Sequence, residues 1–243
     1  MATFVLVHGG GHGGWCYAPV AQRLRAAGHD VRAPSLPGCG EHAPLVSSAI
    51  DLDSHIEDVA ALLFHEDLRQ VILVGHSYGG MVITGVADRA GERLRELVYL
   101  DAAHPVDGES LRIGASAQIE PTYAGVRTHN GAELVMWPAP GMAGFFGITD
   151  PAIAAWTEAR LTPHPWKTFD QPLRLRNGDA AFRLPRTNIN CTQSLANSPP
   201  DKRARQLEGD RNFEIDTGHD LMLTEPEAVA KILLEIAERP ARG

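Results

Sequence analysis

Six short runs of apolar residues recur along the chain, and segments with a helical pattern separate them. The runs lie at 3–7, 30–33, 71–74, 97–100, 187–191 and 213–215. Apolar side chains return every three or four positions, as on one face of a helix, at 17–27, 54–64, 79–90 and 224–236. Helices alternating with nearly continuous apolar strands are typical of a parallel sheet covered on both faces. The pattern therefore predicts an α/β fold with a mostly parallel, doubly wound sheet.

One helix start has a recognisable signal. Ser54 and Glu57 have the spacing of a capping box, in which each side chain bonds a backbone N–H of the first helical turn. Ile56, Val59 and Leu63 follow at helical spacing. We expect a helix that begins at Ser54 and buries this apolar face.

The alternation of strands and helices fails between residues 104 and 184. This stretch is rich in proline, glycine and large aromatic side chains, and its clearest helix start is Asp150 followed by Pro151. Open α/β sheets bind ligands at the carboxyl ends of their strands. We therefore predict a core formed by residues 1–103 and 185–243, with 104–184 inserted as a cap over those strand ends.

Composition narrows the function. A chain of 243 residues suits one α/β domain with an insertion, and its net charge of -8 with no long basic run argues against a nucleic-acid partner. The sequence has no run of about 18 apolar residues, so no membrane span is expected. The first ten residues lack the basic start of a secretory signal. Three scattered cysteines suit a reducing compartment, so we expect a cytoplasmic protein, and a homodimer is compatible with the sequence.

The run at 71–74 ends in Gly75-His-Ser77-Tyr-Gly79, and a helical segment follows. A strand, a sharp turn and a helix around Gly-x-Ser-x-Gly form a nucleophile elbow, which raises the serine hydroxyl above the sheet. A plain tight turn would explain the glycines but not a serine in this context. We predict that Ser77 is a nucleophile.

A serine nucleophile needs a base, and His219 is the best placed of the eleven histidines. It follows the strand at 213–215 and precedes the last helix, which puts it at the carboxyl edge of the sheet. The remaining candidates are expected to be structural or to lie on the surface or the pocket wall: His8, His12, His76, His104, His129 and His164.

An oxyanion hole is expected in the glycine-rich turn HGGGHGGW at 8–15, which follows the first strand. Backbone N–H groups can approach a substrate oxygen closely there, and we nominate the amides of Gly10 and Tyr78. The turn lacks the lysine and the spacing of a phosphate-binding loop, so nucleotide binding is not expected.

Four segments together resemble one superfamily: FVLVHGGGHGGWCY, GHSYGG, LVYLDA and TGHDLMLTEPE. They are similar to the α/β hydrolases, and more narrowly to bacterial relatives of the plant methylesterase and hydroxynitrile-lyase family. The resemblance covers 3–103 and 185–238. It implies the α/β-hydrolase fold with a cap after its sixth strand, Ser77 and His219 as catalytic residues, Gly10 and Tyr78 as the oxyanion hole, and no cofactor or metal.

Two departures from that family matter. Hydroxynitrile lyases carry a threonine and a lysine where this chain has Gly9 and Asp220, and an acidic residue would repel the leaving cyanide. Plant members carry the catalytic acid where this chain has Ser194. Asp101 closes LVYLDA after a strand, as the acid of haloalkane dehalogenases does, so we assign it as the acid that orients His219. The alternatives are Asp201, Asp216 and Asp220. We expect Asp201 to start a helix or to lie on the surface as a charge, and Asp216 and Asp220 to make hydrogen bonds within their own loop.

The leading function is a serine hydrolase of a small carboxylic ester, such as a methyl or aryl ester or a lactone, working through an acyl-enzyme. A small-molecule binding protein or receptor on the same fold is one alternative, and hydroxynitrile-type C–C cleavage is another. We expect four residues to line the substrate pocket: His12, Trp137, Trp156 and Trp166.

Overall fold

A six-stranded sheet runs through the computed structural model, which describes residues 1–239. Its strands, in spatial order, are β2, β1, β3, β4, β8 and β9, and every neighbouring pair is parallel. The strands of the whole chain are β1 Thr3–Val7, β2 Asp30–Arg32, β3 Val71–His76, β4 Leu94–Leu100, β5 Arg127–His129, β6 Ala132–Val135, β7 His164–Pro165, β8 Arg186–Cys191 and β9 Arg211–Ile215. Each of the six apolar runs overlaps a strand of this sheet, so the predicted parallel sheet is confirmed.

Helices cover both faces of the sheet, because alternate residues of each strand point to opposite sides. On one face, side chains such as Val5, Leu73 and Leu97 form a core with α2 and α3, and on the other Phe4 and Ile72 pack with α1 and α12. The helices are α1 Ala18–Ala26, α2 Leu52–His65, α3 Gly79–Ala90, α4 Leu111–Gly114, α5 Ser116–Ile119, α6 Met142–Phe145, α7 Pro151–Glu158, α8 Trp166–Asp170, α9 Thr192–Asn197, α10 Pro200–Leu207, α11 Leu221–Thr224 and α12 Pro226–Glu238. Short 3₁₀ turns cover Gly14–Tyr17, Gly40–Leu45, Gly91–Arg93, Glu120–Gly125 and Ala180–Arg183.

The start of α2 differs from the sequence expectation. Asp51 is the N-cap: its Oδ1 accepts from the Ser54 N–H at 2.9 Å, and Ser54 Oγ accepts from the Asp51 N–H at 2.8 Å. The capping box therefore consists of Asp51 and Ser54, and the prediction that Ser54 is the cap was wrong by three residues. Asp150 caps α7 as expected, accepting from the N–H groups of Ala152 and Ile153.

The chain between β4 and β8 leaves the sheet. It contains α4 to α8 and a small antiparallel sheet in the order β5, β6, β7, which the sequence did not indicate. The segment is tied to the loop after β1, because Thr162 donates its N–H to the Gly11 carbonyl at 2.9 Å. Within residues 1–239, no helix is both long enough and apolar enough to cross a bilayer.

Candidate active site

Ser77 stands in the turn between β3 and α3 and has a left-handed φ of 53°. A non-glycine residue there is strained, and the surrounding structure must hold it. Its glycine neighbours allow the tight turn: a Cβ on Gly75 would lie 2.6 Å from the Gly79 carbonyl oxygen, and one on Gly79 would lie 2.7 Å from the Val7 oxygen. The local geometry is that of the predicted elbow.

Asp101 and His219, 118 positions apart in sequence, meet at the carboxyl edge of the sheet. The Nδ1–H of His219 donates to Asp101 Oδ2 at 2.5 Å. Burial acts to lower the pKa of His219, but the hydrogen bond and the charge of Asp101 outweigh it, so this pKa lies above its usual value. Burial likewise acts to raise the pKa of Asp101, but bonding to His219 lowers it overall. The two side chains form a charge-complementary pair.

Asp101 is held by a second set of donors, from β8 and α9. Its Oδ1 accepts from the Cys191 N–H at 3.1 Å, and its Oδ2 accepts from Ser194 Oγ at 2.7 Å. Cys191 Sγ lies 3.3 Å from the same Oδ2. Ser194 stands where plant relatives carry the acid, so the structure brings that position next to the carboxylate that β4 supplies.

The turn after β1 is held by His8. The Leu36 N–H donates to His8 Nε2 at 2.9 Å, so the neutral ring carries its proton on Nδ1, which donates to the Gly9 carbonyl at 2.8 Å. Burial lowers the pKa of His8 to about 3, which keeps the ring neutral. In a planar trans peptide the N–H points away from the carbonyl, so the Gly10 N–H is directed away from His8.

Gly10 and Tyr78 border the same pocket as Ser77 and His219. Among residues 1–239, no hydrogen-bond acceptor takes up the backbone N–H of either Gly10 or Tyr78. Two unoccupied N–H donors beside a serine have the composition of an oxyanion hole.

Beneath His219 lies a fully buried pair, His12 and Asp220. His12 Nε2 is 2.9 Å from Asp220 Oδ2, and His12 Nδ1 is 2.8 Å from the Gly10 carbonyl oxygen. The two ring nitrogens thus contact oxygens on opposite sides, so the ring links the Gly10 carbonyl to the Asp220 carboxylate. Burial acts to raise the pKa of Asp220, but the charge of His12 opposes it, so the pKa of this carboxyl lies below its usual value.

Asp220 does not border the pocket, which corrects the expectation that its charge would act on a leaving group. Its other oxygen lies 3.7 Å from His76 Nε2, which donates to the His219 carbonyl at 3.0 Å. The two other candidate acids are exposed: Asp216 accepts from Thr192 Oγ1, and Asp201 lies in the first turn of α10.

The pocket above Ser77 has a volume of about 370 Å³. One part of its wall is apolar and comes mainly from the segment between β4 and β8, with Leu111, Ile119, Met136, Phe146 and Phe169. Another part is polar and includes side chains of α9 and α10, with Gln193, Asn197, Lys202 and Arg205.

None of the four residues predicted to line the pocket borders it. Trp156 packs edge-on against Trp15 with ring centroids 5.3 Å apart, and Trp166 packs against Phe169 in the core. Trp137 covers a small separate cluster around Val46, and His12 is bound to Asp220. Phe145, Phe146 and Phe169 of this segment border the pocket instead, and no pattern in the sequence marks which aromatic side chains face Ser77. Within residues 1–239, no group of three or more His, Cys, Asp and Glu side chains is arranged to hold a metal ion.

Comparison with known proteins identifies the family of this chain. Residues 4–232 match the alpha/beta hydrolase family. A carbendazim hydrolyzing esterase from a Nocardioides species is 38% identical over 96% of this chain and 98% of its own length. Methylesterase 18 of Arabidopsis thaliana is 37% identical over 41% of this chain and 38% of its length.

Two solved structures share the fold. An extracellular alpha/beta-hydrolase from a Paenibacillus species superposes with a TM-score of 0.80 at 22% identity, covering 97% of this chain and 98% of that one. A methylesterase from Arabidopsis has a TM-score of 0.76 at 23% identity, covering 98% and 99%. The resemblance seen in the sequence motifs is confirmed, and the chain belongs to the alpha/beta hydrolase family.

Proposed function

We propose that this protein is a serine esterase that cleaves a small carboxylic ester through an acyl-enzyme. The observation that carries the proposal is the His219–Asp101 hydrogen bond of 2.5 Å at the edge of the pocket that holds Ser77. A serine hydroxyl is a weak nucleophile near neutral pH, and an oriented histidine base activates it. The esterases among the relatives support the same chemistry.

In the proposed reaction, Ser77 Oγ attacks the ester carbonyl while His219 Nε2 takes its proton. Asp101 keeps the other ring proton on Nδ1 and stabilises the imidazolium that forms. His219 then returns the proton to the departing alcohol, which leaves an acyl group on Ser77. Water, activated by the same imidazole, releases the carboxylic acid and restores the serine.

The oxyanion of each tetrahedral intermediate would be bound by the Gly10 and Tyr78 amides. These N–H groups come from the loop after β1 and from the residue that follows the nucleophile, the two sources that this fold uses. His8 and His12 hold the carbonyls on either side of the Gly10 Cα, so the loop is fixed before substrate binds. Preorganised donors of this kind need no reorganisation during the reaction.

Residues 104–184 form the cap in this proposal, and they shape specificity without supplying a catalytic group. Apolar side chains from this segment, among them Met136 and Phe169, border the pocket near Gly10. A pocket of about 370 Å³ suits a small ester, with methyl esters, aryl esters and lactones as the first classes to test. The name of the Nocardioides relative adds carbendazim to that panel.

Buried free thiols support the expected cytoplasmic location. Cys16, Cys39 and Cys191 are all buried and unpaired. Burial raises the pKa of each thiol, which makes the reactive thiolate rare. Thiol titration of the denatured protein without reductant should find three thiols per chain.

A fluorophosphonate probe separates the esterase from a binding protein on the same fold. The esterase should be labelled at Ser77 and should hydrolyse at least one ester of a p-nitrophenyl chain-length series. Ser77→Ala should lose both the label and at least about 10³-fold in kcat while keeping the native circular dichroism. An unlabelled, inactive wild-type protein would favour the binding protein. Hydroxynitrile cleavage lacks support, because Gly9 and Asp220 replace the threonine and lysine of the lyases.

A further inference from the structure

The polar part of the pocket wall carries a cation that the proposed chemistry does not use. Lys202 lies on α10, is half-buried and borders the same pocket as Ser77 and His219. Gln193 and Asn197 of α9 border the pocket beside it. An ester hydrolase needs no ammonium group for acyl transfer, so Lys202 calls for another explanation.

The neighbouring charges are already committed to other partners. Arg205 donates to both carboxylate oxygens of Glu109, at 2.6 and 3.1 Å, and also to the His104 carbonyl. The carboxylate of Asp101 is bonded to His219, Ser194 and Cys191. Within residues 1–239, Lys202 has neither an ion-pair partner nor a hydrogen-bond partner.

Partial burial destabilises the charged form of an ammonium group that has no partner. Burial lowers the pKa of Lys202, and the nearby Arg205 acts in the same direction, while Asp101 and Glu109 oppose it without contacting the ammonium. The two carboxylates in the pocket wall, Asp101 and Glu109, bond to other groups and not to Lys202. Binding of an anion would offset the desolvation of this lysine.

We propose that Lys202 binds a carboxylate carried by the substrate, so that the preferred esters bear a free carboxylate in addition to the ester group. The inference rests on the proposed esterase function and names its substrate class. Lysine suits a single carboxylate as a compact point charge with three donors. The apolar wall formed by Leu111, Ile119 and Phe169 would contact the uncharged part of the same molecule.

Matched pairs of stable methyl and aryl esters test the proposal. Monomethyl glutarate is compared with methyl pentanoate, which places the carboxylate on the acyl side. The comparison of 4-acetoxybenzoate with phenyl acetate places it on the alcohol side. We expect kcat/KM to favour the charged member of at least one pair by about tenfold or more, as for a charged hydrogen bond. Hydrolysis of the neutral esters by the wild-type protein tests the esterase function separately.

Variants of Lys202 tie the preference to this side chain. Lys202→Met should lower the charged-to-neutral ratio of kcat/KM about tenfold, mainly through KM, and Lys202→Glu should reverse the preference. Lys202→Arg should keep most of the ratio because it keeps the positive charge, and continued hydrolysis of the neutral esters by Lys202→Met would show that the Met variant is folded. Arg203→Met is the matched control, because Arg203 is exposed on the same helix, and its ratio should equal that of the wild type.

Two results would overturn the proposal. One is an active wild-type enzyme that hydrolyses the neutral member of both pairs at least as well as the charged member. The other is a preference for the charged ester that survives unchanged in Lys202→Met.

Discussion

His12 Nε2 lies 2.9 Å from Asp220 Oδ2, and neither side chain is exposed. The pair joins two loops that are 208 residues apart in sequence, the turn after β1 and the loop that carries His219. Because His12 also donates to the Gly10 carbonyl, a single ring connects the proposed oxyanion loop with the proposed base loop.

Asp220→Asn should therefore destabilise the fold and change the titration of the base. Removing one partner of a buried carboxylate–imidazole hydrogen bond leaves the other partner unsatisfied, which costs up to about 3 kcal/mol in the free energy of unfolding. The charge of Asp220 also raises the pKa of His219, so the rise of kcat/KM with pH should move to lower pH in the variant. Urea unfolding and a pH–rate profile measure the two effects. Asp216→Asn, exposed in the same loop, should change neither, and a D220N profile that overlays the wild type would contradict the role.

A second prediction concerns the position of the acid. Asp101→Asn should keep the fold and lower kcat by about 10⁴-fold, because an amide at this position favours the wrong imidazole tautomer. Ser194 Oγ is 2.7 Å from Asp101 Oδ2, so a carboxylate at 194 should reach the same ring nitrogen. The double variant Asp101→Ser, Ser194→Asp should regain about 10²-fold over Asp101→Ser alone. Asp201→Asn serves as control, and a crippled Asp201→Asn beside an active Asp101→Asn would place the acid elsewhere.

The contact between Asp101 and His219 shows how much of the candidate site could be predicted from the sequence. Ser77, His219 and Asp101 each follow an apolar run, and the carboxyl ends of parallel strands share one edge, so their meeting could be predicted from the pattern alone. The pairing of Leu100 with Ile189 then sets Asp101 beside β8. The role of Ser194 as a donor to Asp101 depends on this register, which the sequence does not reveal.

Other features depend on side-chain directions that no local pattern specifies. The His12–Asp220 contact depends on how two distant loops pack. The pocket was predicted to include Trp137, Trp156 and Trp166, yet these side chains fill the interior of the segment 104–184 and its contacts with the core. Composition identified an apolar insertion, but not which of its faces would be turned toward Ser77.

Phe169 is expected to influence ester size where the tryptophans do not. Its ring lies so close to Gly10 that a Cβ there would be 2.6 Å from Phe169 Cζ. Phe169→Leu should enlarge the pocket and raise the ratio of kcat/KM for long over short acyl chains several-fold, by analogy with single-methylene discrimination. The measurement is a p-nitrophenyl ester series. Trp137→Ala should leave the ratio unchanged, and a larger effect of Trp137→Ala than of Phe169→Leu would refute the assignment.

His8 is expected to act through the peptide that precedes Gly10. In His8→Gln, the Gly9 carbonyl loses the fixed ring donor, so the Gly10 N–H is less well directed. We expect kcat to fall by up to about 10²-fold with little change in KM, as when an oxyanion donor is impaired. Steady-state kinetics separates the two parameters. His65→Gln, exposed at the end of α2, should behave as the wild type. A raised KM with an unchanged kcat would point to substrate binding instead.

Stability should fall on acidification well before the carboxylates titrate. Burial lowers the pKa of several histidines: to about 3 for His8 and His76, to about 4 for His55 and His104, and well below its usual value for His164. The unfolded chain binds protons at these rings as pH falls below about 6.5, while the folded chain does not, so stability decreases with falling pH until the folded pKa values are reached.

The slope of unfolding free energy against pH should approach about 1.4 kcal/mol per pH unit for each such histidine between pH 6 and 4. His219 acts with the opposite sign and in another pH range: its raised pKa contributes stability below about pH 6.5, and this stability is lost as pH rises through the folded pKa.

Urea unfolding at half-unit steps from pH 8 to 4 measures both contributions to the free energy of unfolding. His104→Gln should reduce the slope between pH 6 and 4 by about 1.4 kcal/mol per pH unit, because burial lowers the pKa of the His104 ring to about 4 in the folded protein. Equal stability at pH 7 and pH 5 would mean that these rings are protonated in the folded protein.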